Sequence, residues 1–254
     1  MKKAISLVII VSLLLTLSAC SLRTVTESVM PTPTPAAETP APTQEPTPEP
    51  TPEPTPEPVS SPYKAILDSY YLALSENWGP GAMSENGINY MLSMYGGSDP
   101  LAATGYCITD LDGDGLDELI IGSIGGDEFV TNMIYDLYTL VDGEAVLQIS
   151  ATERNRYYMC DNGFFINEGS SSAAHSETVY YKLVNSGFVF EEAVVFDSEM
   201  DPDANWFYTV DYNMARERFK SVTSQEATDF IEERESHVTR PDYTPFTDYP
   251  SHSW

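Results

Sequence analysis

Apolar residues follow three regimes along this chain. Ala4 to Leu17 is a compact apolar run behind Met1-Lys2-Lys3. A polar stretch comes next, in which proline recurs nearly every second residue, and from Ser61 onward apolar positions return at regular spacing. In this third regime Ser61 as N-cap and Pro62 at the first helical position open a segment whose Tyr63, Ile66, Leu67, Tyr70, Tyr71 and Leu74 keep helical spacing. The pattern predicts an amphipathic helix ending near Trp78. Gly79, Pro80 and Gly81 break it, and a weaker helical pattern runs through Ile88, Met91, Leu92 and Tyr95 to Gly96-Gly97. Between Tyr106 and Tyr212 the runs shorten to strand length: MIYDLYTLV, AVLQIS, RYYMC, GFFIN, TVYYKLV, FVFEEAVVF and NWFYTVDY, all rich in β-branched and aromatic residues. Asp142-Gly143, Asp161-Asn162-Gly163 and Asn185-Ser186-Gly187 separate them with hairpin chemistry. Sequential hairpins predict an antiparallel meander. Thr223-Ser224-Gln225-Glu226 is a capping-box pattern ahead of Ala227, Phe230 and Ile231, so a closing helix is expected there. The tail from Arg240, with three prolines and several aromatics, is expected along the surface. The fold class predicted for residues 61–254 is therefore α+β, a mostly antiparallel β meander with helices at both ends.

The first regime has the positive start and short apolar core of a signal peptide, too short for a comfortable membrane span. It ends in Leu17-Ser18-Ala19-Cys20, which resembles the lipobox of bacterial lipoproteins. The resemblance implies a signal peptide over 1–19, cleavage between Ala19 and Cys20, and a diacylglycerol thioether on Cys20. Acyl chains there, palmitate among them, would anchor the mature chain to the outer face of a lipid membrane, since each buried methylene contributes about 0.8 kcal/mol. Twelve of the 19 prolines fall between Pro31 and Pro58, a composition that cannot join a packed core. Residues 20–60 thus read as a disordered, extended Pro/Thr/Glu-rich linker. Its 28-residue repeat reaches at most about 90 Å at 3.1 Å per residue. A spacer of that kind suits a domain that stands clear of a membrane in a Gram-positive wall.

One segment carries chemistry. Asp110-Leu111-Asp112-Gly113-Asp114-Gly115-Leu116-Asp117-Glu118 places carboxylates at loop positions 1, 3, 5 and 9 and glycine at position 6. Calcium requires six to eight oxygens at about 2.3 to 2.6 Å, and side chains at alternate residues of a tight loop can supply them locally. Asp110, Asp112, Asp114 and Glu118 are the expected carboxylate ligands, with the carbonyl of Leu116 as a further oxygen. Position 12, where an EF-hand places its bidentate glutamate, is Ile121, and Leu119-Ile120-Ile121-Gly122 continues as an apolar run. The 13 residues DLDGDGLDELIIG instead resemble the calcium loops of FG-GAP and VCBS-type repeats, which lead straight into a strand. No second DxDxDG follows, which departs from the repeated loops of a propeller or a dockerin. A single such loop in an exported domain is also similar to surface lipoproteins of anaerobic Firmicutes. Calcium is the expected cofactor, in a structural role.

Cys107 and Cys160 remain once Cys20 is lipidated. Outside the cytoplasm they could pair as a disulfide or stay as two small buried strand residues. His175, His237 and His252 are too scattered for a zinc site or a serine triad, although Ser170 to Ser172 lie close to His175. From Ser60 onward there are 33 acids against 9 bases, a balance that excludes an ordinary nucleic-acid partner and favours cations. The expectation is a lipid-anchored extracytoplasmic protein with a calcium-stabilised binding or envelope-associated module whose ligand the sequence does not name, a cell-wall glycan or a surface protein being the candidate partners. The alternative is a wall or glycan hydrolase that uses acidic residues.

Overall fold

The computed structural model describes residues 61–125 and 128–251. The expected signal peptide over 1–19, Cys20 and the expected linker over 20–60 lie outside the described residues. The described chain is α+β, with a twelve-stranded, wholly antiparallel sheet and five short helices.

Helix α1 (Lys64–Ser75) is shorter than its periodicity predicts at both ends. Ser61 acts one turn upstream, accepting the Tyr63 N–H on its Oγ at 3.3 Å and the Lys64 N–H on its carbonyl at 3.0 Å. At the far end Asn77 turns left-handed at φ 51°. Asn77 N–H then bonds to Leu74 O and Trp78 N–H to Ala73 O, the paired bonds of a Schellman ending. The weaker helical pattern beyond resolves into α2 (Pro80–Glu85), α3 (Met91–Tyr95) and α4 (Pro100–Ala103). Pro80 and Pro100 each sit in the first turn, where a missing N–H is harmless.

The strands are β1 (Thr104–Thr109), β2 (Glu118–Ser123), β3 (Ile134–Val141), β4 (Glu144–Ser150), β5 (Asn155–Cys160), β6 (Phe164–Ser170), β7 (His175–Val184), β8 (Gly187–Asp201), β9 (Ala204–Thr209) and β10 (Lys220–Val222). They form the predicted meander except at β3, which pairs with β4 along Asp136–Val141 and with β5 at Ile134. Helix α5 (Ser224–Glu235) follows with its capping box formed, Thr223 Oγ1 on the Glu226 N–H and Glu226 on the Thr223 N–H. Two short strands finish the sheet: β11 (Val238–Thr239) on β5 and β12 (Thr244–Pro245) on β1.

Three apolar layers result. Helix α1 and its short successors cover one face of β1–β3 through Leu67, Tyr70, Leu74, Met91, Leu119, Ile121 and Tyr135. On the opposite face Ile120, Leu137 and Ile149 share a cluster with Phe165, Leu183 and Phe188 of β6–β8. In a flat sheet β3 and β7 would stand roughly 14 Å apart, at about 4.8 Å per strand step. The Thr139 hydroxyl nevertheless donates to Ser186 O at 3.1 Å, so the sheet curls back upon itself. Strand β2 is covered on both faces, which is why ELIIGS reads as an apolar run and not as an alternation. Phe230 of α5 packs on Tyr180 and Tyr208 on the outer side of β7 and β9.

The tail corrects one expectation. Phe246 is fully buried between Tyr70 and Tyr106, and Tyr249 joins the same cluster. Tyr243 lies over the cross-strand pair Gly105 and Gly122: a methyl added at Gly122 would overlap its phenol ring, and one at Gly105 would meet its Cβ and Ile124. The aromatics of the tail therefore complete the core beside α1. Beneath α1, the buried Asp136 carboxylate accepts hydrogen bonds from Tyr70 Oη and from Asn89 Nδ2 at 3.3 Å. Burial pushes its pKa above the ordinary carboxylate value.

Candidate metal centre

The acidic segment is the connection between β1 and β2. Thr109 and Glu118 are direct cross-strand partners, so the loop leaves one strand and enters the next without a helix. Its path is set by its own side chains. Asp110 accepts the Gly113 N–H at 2.8 Å and the Gly115 N–H at 3.0 Å, while Asp112 accepts the Asp114 N–H at 3.1 Å and Asp114 the Leu116 N–H at 2.8 Å. Gly113 and Gly115 take φ 79° and 89°, a region that L side chains rarely adopt. Open space surrounds both glycines, so conformation and not room requires them.

Glu118 differs from the three aspartates. It is fully buried at the start of β2, and its Oε2 accepts the Leu111 N–H at 2.9 Å. Its Oε1 is buried without any hydrogen-bond partner. Burial is the main cause that pushes its pKa up to about 7; the charges of Asp112, Asp114 and Asp110 add to it, and the Leu111 N–H opposes it. Carboxylate oxygens of Asp110, Asp112 and Glu118 lie within 4.8 Å of one another. Two oxygens on opposite sides of an ion with bonds of 2.3 to 2.6 Å would be separated by about 4.6 to 5.2 Å, so the spacing suits a hard divalent cation. Asp114 stands outside that trio, with its second oxygen taken by the Ser186 hydroxyl at 3.3 Å. Leu116 is exposed at the loop's end, with its amide on Asp114.

Two residues that the sequence pattern did not connect with the loop hold it in place. Tyr63, just before α1, donates its hydroxyl to Asp117 O at 2.6 Å. Ser186, in the β7–β8 turn, donates its N–H to Asp112 Oδ2 at 3.1 Å and its hydroxyl to Asp114. Asn185-Ser186-Gly187 is legible as a turn, but nothing local indicates that it docks on a loop more than 70 residues earlier.

The other candidates are not assembled in this way. Cys107 on β1 and Cys160 on β5 are both free thiols, so the structure does not pair them. Burial raises the pKa of both, that of Cys160 to about 11. Ser171 Oγ lies 3.2 Å from His175 Nδ1 in the exposed β6–β7 connection. Asp197, opposite His175 on β8, pairs with Arg216 at 2.9 Å and accepts the Glu199 N–H at 3.0 Å, so its contacts go to these groups and not to a Ser-His-Asp triad. A polar hollow of about 390 Å³ on β5–β7 gathers Glu153, Glu168 and Glu177. There Glu168 is engaged by Arg156 at 2.6 Å and Glu153 by the Tyr90 hydroxyl at 2.5 Å.

No protein-family model, no curated protein and no solved structure matches this chain.

Proposed function

We propose that this chain is a lipid-anchored extracytoplasmic protein whose acidic α+β domain binds calcium at the β1–β2 loop and works as a binding or envelope-associated module. The observation that carries the cation is Glu118 Oε1, a buried carboxylate oxygen with no protein partner beside two further carboxylates. A buried charge is retained at such a position when something charged completes it. Calcium is the hard divalent cation expected outside a cell, and Asp110, Asp112 and Glu118 supply anionic oxygens for it, with Asp114 and the Leu116 carbonyl adjacent. The role is structural. Extracellular modules bind calcium with dissociation constants of about 10⁻⁴ to 10⁻³ M, and free calcium at ten times that constant adds about 1.4 kcal/mol to stability. The anchor rests on Leu17-Ser18-Ala19-Cys20 and the spacer on the repeat from Pro31 to Pro58.

Two measurements test the proposal. The melting temperature of the full-length chain should fall in chelator and recover on adding calcium, with Asp112→Ala insensitive to both; an unresponsive wild type refutes the cation. Radiolabelled palmitate should enter the protein and fail to enter Cys20→Ser, and labelling of both or neither refutes the anchor at Cys20.

A further inference from the structure

The cation loop and the β7–β8 turn are one unit, although 74 residues separate Asp112 from Ser186. Ser186 turns both its donors toward the loop, the N–H to Asp112 Oδ2 at 3.1 Å and the hydroxyl to Asp114 Oδ2 at 3.3 Å. Its carbonyl is held from the other side by the Thr139 hydroxyl at 3.1 Å. Asn185 and Ser186 are both left-handed, at φ 48° and 61°, the conformation that aims a two-residue turn in this way. This contact lies where the sheet curls back, above the cluster of Leu111, Ile120, Leu137, Leu183 and Phe188.

We infer that Ser186 is a positioning residue of the cation site and that occupancy of the loop latches the β7–β8 turn onto β1–β3, closing the seam over that inner cluster. The inference rests on the calcium reading of the loop. Without a cation, the carboxylates of Asp110, Asp112, Asp114 and Glu118 repel one another, and neutral donors alone draw two of them toward Ser186. A carboxylate oxygen has lone pairs for both an N–H and a metal, so a cation can join the existing contacts without displacing them. It removes the repulsion and fixes Asp112 and Asp114 against the turn. Linkage makes the effect reciprocal: whatever the cation adds to the latch, the latch adds to cation affinity.

The test uses the full-length chain titrated with calcium chloride by calorimetry, together with hydrogen exchange of the peptide spanning 183–188. Ser186→Gly suits the left-handed position, removes the hydroxymethyl side chain that reaches Asp114, and keeps the N–H that reaches Asp112. Asn185→Gly is the control, since it makes the same backbone change one residue away without touching the loop. Calcium should slow exchange across 183–188 in the wild type. Ser186→Gly should weaken calcium binding by about three- to tenfold, the net scale of one ordinary hydrogen bond, as suits a contact of 3.3 Å, and Asn185→Gly should leave it unchanged. Calcium binding with unaltered exchange at the turn, or with equal affinity in Ser186→Gly and wild type, overturns the latch and leaves the cation site standing. A wild type that binds no calcium overturns both.

Discussion

Glu118→Gln is the perturbation that bears most directly on why this loop is built as it is. In chelator at pH 8 the wild-type domain must hold a buried carboxylate whose Oε1 has no donor and whose neighbours are carboxylates. Its pKa, pushed from 4.5 to about 7, corresponds to about 3 kcal/mol of unfavourable ionisation at 1.36 kcal/mol per pH unit. Solvent screening of the more exposed aspartates reduces this to about 2 kcal/mol. Glutamine keeps the shape and an acceptor for the Leu111 N–H, carries no charge, and brings an amide that can donate to the surrounding carboxylates. Glu118→Gln should therefore be more stable than wild type in chelator by about 2 kcal/mol, or about 4 to 8 °C in a domain of this size. The sign reverses the usual expectation for loss of an acid. A carboxylate whose folded pKa is raised destabilises the fold above that pKa and ceases to do so as pH falls, so the two proteins should converge between pH 7 and 4.5. Calcium should close the gap from the other side, since at a hundredfold excess over the dissociation constant wild type gains about 2.7 kcal/mol and the variant gains little. Urea midpoints in chelator and in calcium, across pH 5 to 8, measure all of this. A variant less stable than wild type in chelator would refute the reasoning, because Glu118 would then be satisfied without a cation.

Two predictions concern the scaffold. Phe246→Ala should cost about 3 to 5 kcal/mol in urea unfolding, since Phe246 is fully buried between Tyr70 and Tyr106; a loss under 1 kcal/mol would place the tail on the surface after all. In saturating calcium, wild type should gain stability relative to Asp136→Asn as pH falls from 8 to 4, because the raised pKa of Asp136 makes its ionised form the costly one; a difference independent of pH contradicts that.

What the sequence showed and what it hid divide along contact range. The capping box at Thr223, the hairpin turns and the acidic loop are local patterns, in which the pattern-forming residues are close neighbours along the chain. Helix α1 was legible from its apolar period, but its end was set by Asn77, whose left-handed turn leaves no periodic trace. The tail misled for a related reason. Proline-spaced aromatics such as Phe246 and Tyr249 have neither a helical nor a strand period, and their burial depends on a slot that α1 and β1 create at long range. Ser186 was hidden in the same way: its turn is readable, its docking partner is not.

The long-range contacts also bear on what a cation bound at the loop, as proposed, would do for the whole fold. In this chain the β1–β2 loop meets two other parts of the fold. Tyr63 fastens it to the start of the helical layer at Asp117 O, and Ser186 fastens it to the returning half of the sheet. The sheet curls back over one inner cluster, and the loop stands at that closure. A cation placed there acts on the helical layer, the first strands and the β7–β8 hairpin together, so its effect on stability should be global and cooperative rather than confined to eight residues.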